Sequence, residues 1–245
     1  MARLAAIWRH PVKGVGAEPL TRTGLEAARP LPGDRAWAIL TGDAQATGDW
    51  MPCRNFARGC YAPRLMAVTA DSHDDGRITF RHPDQAPITL DPARDGGLLV
   101  EWIAPLYSDD RPAPRELVAA PAQGMTDADF PSVALLGRAS LEALSAACGT
   151  ALDERRFRGN LWIEGLEPFA EFDWVGRRLT LGGAELEVLE RIGRCRATEA
   201  NPETGTRDVN TLKALREHFG HTDFGVYARV IRGGEIALGD EVVLQ

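Results

Sequence analysis

The chain has 245 residues, of which 44% are hydrophobic and 26% are charged, a balance typical of a globular protein with a sizeable core. Its 28 basic and 35 acidic residues give a net charge of −7, which argues against a protein that binds nucleic acid or an anionic membrane. An anionic ligand would therefore need a pocket that is locally basic.

The four cysteines, at positions 53, 60, 148 and 195, form no CxxC pair and no zinc-type spacing with histidine. A secreted disulfide scaffold is not expected at this size and cysteine density. The segment MARLAAIWRH lacks the apolar core of a signal peptide, and no run approaches the roughly 18 apolar residues of a membrane span. We therefore expect a soluble, cytoplasmic protein with reduced thiols and without a membrane or nucleic-acid partner.

The first half of the chain reads as short strands separated by turns. Residues 4–12 form an apolar segment that ends in a Pro-Val-Lys-Gly turn, and residues 35–40 form a second short strand. Residues 65–70 and 77–82 flank Asp74-Asp75-Gly76, a sequence typical of a hairpin loop. The pattern predicts four strands and one hairpin before residue 83.

A helix and a connection follow these strands. Residues 96–106 predict a short helix that Pro105 ends. Residues 109–131 are rich in Pro, Ala and Asp, a composition typical of a connection between domains. We predict two domains, at residues 1–117 and 118–245.

Two segments of the second half carry helix signals. Residues 140–148 place Leu141 and Leu144 on one face and are followed by Gly149, a residue that often ends a helix. Residues 210–220 begin at Asn210, a good N-cap, and end at Gly220. The leucines of both segments are interpreted as core residues.

The remaining segments of the second half alternate between apolar and polar residues. In residues 177–190 the pair Gly182-Gly183 separates two alternating runs, which predicts a hairpin, and Gly233-Gly234 does the same in residues 226–244. Many short strands without a βαβ rhythm predict a mainly β fold, a barrel or a sandwich with few helices, built as two β-rich domains.

Basic residues follow strands or turns at several points of the chain. Lys13 follows the first strand, Arg35 follows a turn, and Arg158 enters the apolar strand that begins at Leu161. Each could be a solvated surface charge, but binding residues concentrate at strand ends on a β scaffold. His10, His73 and His82 occupy comparable positions and are interpreted as surface residues.

Cys195 lies between Arg194 and Arg196, just after Gly193 interrupts a predicted strand. Neighbouring cations lower the pKa of a thiol and favour the thiolate, which is both a nucleophile and a soft metal ligand. A free cysteine is also typical of a small buried hydrophobic side chain, and this segment alone leaves both interpretations open. With the other cations, the composition fits a phosphate-bearing ligand that carries a thiophilic group.

The segment RCRATEANPETGTRD (194–208) resembles the signature of MOSC domains, in which an Arg-Cys pair precedes an Asn-Pro-Glu-Thr-Gly turn. FRGN (157–160), FGVYARV (224–230) and IALGDEV (236–242) extend this resemblance. HPVKG and GDRAW, at the start of the chain, resemble the β-barrel domain that precedes MOSC in the mitochondrial amidoxime-reducing component and its bacterial relatives. The resemblance covers nearly the whole chain.

The resemblance implies the molybdenum cofactor, a molybdopterin with bound molybdenum. It implies that Cys195 ligates the metal. The positions implied to hold the pterin and its phosphate, or to line the cofactor, are Lys13, Arg35, Phe130, Pro131, Ser132, Arg158, Asn160, Arg194 and Tyr227. Gly14, Gly159 and Gly193 depart from the family pattern, which leaves the hydrogen bonds around the pterin open.

The segment DWMPCRNFARGCYAP (49–63) also departs from the family pattern, on the side where the resemblance implies the substrate. The substrate is therefore open. Cys53 and Cys60 lie in this segment and are either redox-active or simply buried thiols.

Three functions follow from the resemblance. The first is an oxidoreductase that reduces N-hydroxylated or other N-oxygenated compounds with electrons from a partner protein, since the sequence has no flavin, haem or iron–sulfur motif. The second is a molybdenum cofactor carrier or sulfur-transfer protein that uses Cys195. The third is a non-catalytic protein that stores the cofactor. The sequence does not decide between the first two.

Overall fold

The computed structural model describes residues 1–108 and 110–245, so Asp109, the first residue of the predicted connection, lies outside the described residues. Within these residues the helices are α1 (Gly96–Ile103), α2 (Arg138–Cys148) and α3 (Thr211–Phe219). The strands are β1 (Arg3–Arg9), β2 (Val12–Lys13), β3 (Glu18–Leu20), β4 (Arg22–Leu25), β5 (Trp37–Thr41), β6 (Thr69–Ser72), β7 (Ile78–His82), β8 (Gln85–Leu90), β9 (Pro114–Ala119), β10 (Val133–Gly137), β11 (Leu161–Glu164), β12 (Arg178–Leu181), β13 (Ala184–Gly193), β14 (Asp223–Arg232), β15 (Gly234–Ala237) and β16 (Val242–Leu244).

The largest sheet that the described residues form has eight strands, in the order β16-β12-β13-β14-β10-β11-β1-β3. β10 and β11 run parallel, and every other neighbouring pair is antiparallel. Every second residue from Ala184 to Val188 is fully buried on β13, as the two-residue period of a strand requires. Because β1 and β3 precede residue 21, the first half of the chain contributes to the sheet of the second half.

Strands of the first half also form two three-stranded sheets, β2-β5-β9 and β6-β7-β8. A separate core fills the space around them and includes Ile39, Leu65, Phe80, Leu99 and Ile103, which are all fully or nearly fully buried. Helix α1 packs against β9. The mainly β class with two β-rich units is therefore confirmed. The predicted boundary between residues 117 and 118 falls inside β9, and the division of the chain at that point stays a prediction.

The predicted helix ends are confirmed. α2 is followed by Gly149 at φ +69°, and α3 by Gly220 at φ +77°, both in the left-handed region that glycine adopts without strain. The side chain of Asn210 accepts a hydrogen bond of 2.9 Å from the backbone N–H of Lys213, so it is the N-cap of α3. In the described part of the chain, no helix is long and apolar enough to cross a membrane.

Two sequence predictions of local structure are wrong. Residues 63–67 form a 3₁₀ helix, and the strand predicted at 65–70 begins only at Thr69, because Pro63 favours a helical first turn and a short apolar run does not distinguish the two structures. The Gly233-Gly234 pair does not close a hairpin, since β15 pairs with β4 instead of returning along β14. The Gly182-Gly183 hairpin between β12 and β13 is confirmed.

Candidate functional site

A cavity of about 290 Å³ lies where the two halves of the chain meet. The first half contributes the end of β2 and residues 53–60, and the second half contributes residues 156–158 and the segment after β13. Six of the residues that the sequence predicts for the site line this cavity: Lys13, Arg35, Arg158, Arg194, Cys195 and Tyr227. The structure therefore brings together residues that lie as far apart in the sequence as positions 13 and 227.

Lys13 ends β2 and is buried beneath the loop that precedes β10. Its Nζ donates hydrogen bonds to the backbone carbonyls of Met125 at 2.9 Å and Thr126 at 3.2 Å, and it pairs with Asp127 at 2.5 Å. All three donors of the ammonium group thus have protein acceptors. Lys13 therefore fixes the loop, and Asp127, which also lines the cavity, balances its charge.

Gly14 is required for a close contact between two backbone segments. Its φ is +78°, and a Cβ at this position would lie 2.2 Å from the carbonyl oxygen of Ala57. Only glycine permits both the conformation and the contact. The contact holds residues 57–60 against the end of β2 and so places Arg58 and Cys60 in the cavity wall.

Arg35 is held by a buried chain of polar groups. It pairs with Asp34, and its Nη2 donates to the carbonyl oxygen of Arg158 at 2.9 Å. Asp34 accepts hydrogen bonds from the backbone N–H of His10 at 2.7 Å and from its Nδ1 at 3.3 Å. Burial lowers the pKa of His10 to about 3, so the ring is neutral. The interpretation of His10 as a surface residue is therefore wrong, and so is that of His82, which is 5% exposed.

Arg158 and Arg194 donate to backbone carbonyls and not to carboxylates. Arg158 Nη1 and Nη2 reach the carbonyl oxygens of Gly16 at 3.0 Å and Val12 at 3.1 Å, and so link the two halves of the chain. Arg194 Nε and Nη1 reach those of Phe224 and Phe157, both at 2.8 Å. Among the described residues neither guanidinium group forms an ion pair with a carboxylate, and Asp127 is an acidic residue that lines the same cavity.

The pKa values of Arg158 and Arg194 reflect the cost of burying their charges without an ion pair. Burial, with repulsion from Arg35, lowers the pKa of Arg158 to about 9, and burial lowers that of Arg194 to about 10. A bound anion would compensate both charges and raise both pKa values. The cavity is thus electrostatically prepared for an oxyanion, although the whole chain is acidic.

Cys195 is exposed at the cavity, directly after β13 and before a 3₁₀ helix at Arg196–Glu199. A hydrogen bond from the Cys60 thiol is the largest cause that lowers the pKa of Cys195 to about 6, and the backbone N–H of Ala197 acts in the same direction. The lowered pKa favours the thiolate form of Cys195. Because Cys195 is exposed, the alternative of a buried hydrophobic cysteine is wrong.

Arg194 lowers the pKa of Cys195 as the sequence predicted, but its effect is small. Arg194 is among the weaker causes of the low pKa of Cys195, behind Cys60 and the backbone of Ala197. Arg196 turns into the 3₁₀ helix, where its Nε pairs with Glu199 at 2.9 Å and its side chain is 64% exposed. The 3₁₀ helix at Arg196–Glu199 thus places the Arg196 side chain at Glu199, a contact that the order of residues in the sequence does not indicate.

Sequence reasoning did not assign Cys53, Arg58 and Cys60 to the site, although all three line the cavity. Arg58 Nη1 donates to Cys53 Sγ at 3.1 Å, while its Nε is buried without a partner among the described residues. Cys60 supplies the hydrogen bond to Cys195, and its own pKa is raised by that bond and by burial. The sequence signal was the two arginines, Arg54 and Arg58, between the two cysteines of CRNFARGC, a segment in the part that departs from the family pattern.

The other predicted site residues do not line this cavity. Asn160 is buried and structural, because its Oδ1 accepts from the backbone N–H of Ala134 at 3.1 Å and its Nδ2 donates to the carbonyl oxygen of Trp8 at 3.2 Å. The ring of Phe130 packs edge-on against Tyr227, with 6.4 Å between the ring centres. Ser132 is buried next to half-buried Pro131, and its hydroxyl has no partner among the described residues.

The arrangement combines an oxyanion site with a thiolate. Clustered guanidinium groups bind phosphate, and a thiolate is a ligand for soft metals. In the part of the chain that the structure describes, no group of three or more His, Cys, Asp or Glu side chains is placed to hold a metal ion. A metal bound by Cys195 would therefore have to bring most of its ligands with it, as a metal held by an organic cofactor does.

Comparison with known proteins gives two family matches. Residues 1–99 match the MOSC N-terminal beta barrel domain, and residues 125–243 match the MOSC domain. Together the two matches cover most of the chain and include every residue of the cavity described above.

Several curated proteins are similar to the chain. The human mitochondrial amidoxime-reducing component 1 is 29% identical over 98% of this chain and 82% of its own length. The molybdenum cofactor sulfurase of Caenorhabditis elegans is 26% identical over 91% of this chain, and that of Danio rerio is 40% identical over 30% of it. These alignments cover only 33% and 9% of the two sulfurases, so the chain spans a third or less of their length.

Proposed function

Because the chain is a MOSC domain protein with an N-terminal MOSC β-barrel domain, we propose that it binds the molybdenum cofactor and reduces N-hydroxylated or other N-oxygenated compounds. The observation that carries the proposal is the cavity where the two halves of the chain meet, which we call the junction cavity. There Arg158 and Arg194, which form no ion pair among the described residues, lie beside Cys195, whose pKa is lowered. The alignment covers 82% of the human amidoxime-reducing component but only 33% of the Caenorhabditis elegans sulfurase, which favours a reductase.

The residues of the cavity fit the cofactor. Arg158 and Arg194, whose donors reach only carbonyl oxygens at short distance, would bind the phosphate of the pterin. Arg35 and Lys13, each paired with an aspartate, would hold the wall around them. Cys195 would ligate the metal as a thiolate.

The cofactor would supply the two-electron chemistry, and the protein would supply binding and proton control. Reduction of an amidoxime breaks the N–O bond, consumes two electrons and two protons, and releases an amidine and water. Burial raises the pKa of Tyr227, so its hydroxyl keeps its proton at neutral pH and can donate a hydrogen bond into the cavity. The electrons would come from a donor protein, which we also propose.

A sulfur-transfer or carrier role is the second candidate. It is favoured by three thiols, Cys53, Cys60 and Cys195, that line one cavity, and by the similarity to molybdenum cofactor sulfurases. In that role Cys195 would hold sulfur or the metal during delivery. The two candidates differ in one property, since only the reductase turns over an N-oxygenated substrate.

The test measures molybdenum content and benzamidoxime reduction with a chemical electron donor, for the parent protein, Cys195→Ser and Cys148→Ser. Serine at 195 replaces a soft ligand with a hard, protonated one, so we expect Cys195→Ser to lose reduction. Cys148 lies half-buried on α2, outside the cavity, and serves as the matched control with preserved activity.

Two outcomes would contradict the proposal. Full activity of Cys195→Ser would remove Cys195 from the chemistry. A parent protein that binds molybdenum through Cys195 but reduces no N-oxygenated compound would favour the carrier role.

A further inference from the structure

A second cavity, of about 530 Å³, lies beside the junction cavity, and Cys60 lines both. Its walls come from residues 60–64, 106–108 and 110–111 of the first half and from Arg196 and Arg207 of the second half. Arg196, the residue after Cys195, lines the second cavity, whereas Cys195 itself lines the junction cavity. We call it the outer cavity.

The signature turn of the second half closes this cavity. Gly205 has φ +68°, and a Cβ there would lie 2.6 Å from the Cα of Arg64, so only glycine lets the turn pack against residues 60–64. Beyond the turn, Arg207 Nη2 donates to the carbonyl oxygen of Cys60 at 2.7 Å. The wall of the outer cavity is therefore fixed to the residue that contacts Cys195.

The outer cavity carries a surplus of positive charge. Among the described residues four arginines line it, at positions 64, 111, 196 and 207, together with the carboxylate of Asp110. Arg64 pairs with Asp84 at 3.0 Å and Arg111 with Asp110 at 3.7 Å. Arg196 and Arg207 share a single partner, Glu199, at 2.9 and 3.5 Å. Because two guanidinium groups share one carboxylate, one positive charge at this wall has no ion pair of its own. A protein of net charge −7 thus places an anion-attracting cavity beside its reactive thiolate.

Aromatic rings give the outer cavity an apolar surface. The ring of Tyr61 lies between the guanidinium groups of Arg58 and Arg111, at 4.4 and 4.7 Å from the ring centre. Tyr107 adds a second ring to the wall. The volume falls in the range of pockets for small molecules, and a concave site of this size favours a small ligand over a flat protein surface.

We propose that the outer cavity is the substrate pocket and that it selects N-oxygenated compounds that carry a carboxylate on an apolar or aromatic body. Arg111 and Arg196 bind the carboxylate, Tyr61 and Tyr107 contact the body, and the N-oxygenated group points towards Cys60 and Cys195. This inference rests on the proposed reductase function and names the substrate class of the same site.

The kinetic test compares 4-carboxybenzamidoxime with benzamidoxime as substrates. We expect the parent protein to prefer the carboxylate by about tenfold in kcat/KM, mainly through KM, as one charge-assisted contact provides. Arg111→Gln and Arg196→Gln should each remove most of this preference. Arg178→Gln is the matched control, because Arg178 is an exposed arginine on β12 that lines neither cavity.

A binding test separates this inference from the proposed function. Calorimetric titration measures the binding of the two compounds to the parent protein and to each variant. The parent protein should bind 4-carboxybenzamidoxime about tenfold more tightly than benzamidoxime, even if it reduces neither compound. Arg111→Gln and Arg196→Gln should each lose most of this difference. If the protein shows this difference but reduces neither compound, the carboxylate selectivity of the outer cavity holds, while the reductase proposal and with it the role of these compounds as substrates fail.

Two results would overturn the inference. One is equal kcat/KM for both substrates in the parent protein, with no response to either arginine substitution. The other is a loss of rate in the arginine variants only when a protein electron donor replaces the chemical one, which would make the outer cavity a docking site for an acidic protein.

Discussion

Replacement of Cys60 with alanine should raise the pKa of Cys195. The hydrogen bond from Cys60 is the largest cause that brings the pKa of Cys195 down to about 6, and the same bond keeps the proton on Cys60, whose pKa is raised. With the donor removed, the backbone N–H of Ala197 and the charge of Arg194 remain. We therefore expect the pKa of Cys195 to rise to between about 7 and 8.5, the latter being the ordinary value of a free thiol.

This rise in pKa strongly reduces the fraction of Cys195 that is ionised at neutral pH. At pH 7 a pKa of 6 leaves about 90% of Cys195 ionised, whereas a pKa of 8.5 leaves about 3%. A hydrogen-bond donor stabilises the thiolate, so its removal raises the pKa of Cys195. As the pH falls, the variant therefore loses its thiolate at a higher pH than the parent.

The assay is the rate of iodoacetamide alkylation of Cys195 in cofactor-free protein, followed from pH 4 to 10 by mass spectrometry of the peptide. The midpoint of the profile is the quantity to compare, because a thiolate of low pKa is also a weaker nucleophile and the rate at a single pH mixes the two effects. Cys60→Ser keeps a donor and should stay close to the parent. Cys53→Ala retains Cys60 and is the control for the loss of a thiol from the same cavity.

A parent midpoint near 8.5, or the same midpoint in the parent and Cys60→Ala, would refute the assignment of Cys60 as the donor to Cys195.

Two further predictions concern the architecture of the junction cavity. Gly14→Ala should lower the free energy of unfolding in urea by at least about 2 kcal/mol, because it adds a clash with Ala57 to a left-handed backbone. Gly76→Ala, at φ +84° with open space around it, should lower it by only about 1 kcal/mol. Equal losses in the two variants would show that the contact with Ala57 is not tight. Phosphate at 10 mM should raise the melting temperature of the cofactor-free protein by about 3–6 °C if it binds the arginines with a Kd of about 1 mM. The effect should be smaller in Arg194→Met, and an equal effect of chloride at the same ionic strength would contradict a specific oxyanion site.

The sequence predicts the elements whose signals are local. Asn210 and Gly220 mark the ends of α3 because capping depends on neighbours within one helical turn. The Gly233-Gly234 prediction fails because strand pairing is decided by distant residues, here those of β4. Local turn chemistry does not contain that information.

The same distinction between local and distant signals explains which residues of the candidate site could be predicted from the sequence. Cys195 and Arg35 could be assigned from the resemblance of their motifs, and the structure places both at one cavity. Cys60 could not, because its position depends on the contact between Gly14 and Ala57, which are 43 residues apart. His10 was misjudged for a similar reason, since the carboxylate that makes its burial favourable, Asp34, lies 24 residues away.

The central claim is that Cys195 ligates molybdenum in a cofactor held at the junction cavity. X-ray absorption at the molybdenum edge, on protein loaded with the cofactor, tests it most directly. We predict that the parent protein shows one more sulfur ligand to molybdenum than Cys195→Ser, and that Cys148→Ser matches the parent. An identical sulfur count in the parent and Cys195→Ser would contradict the claim.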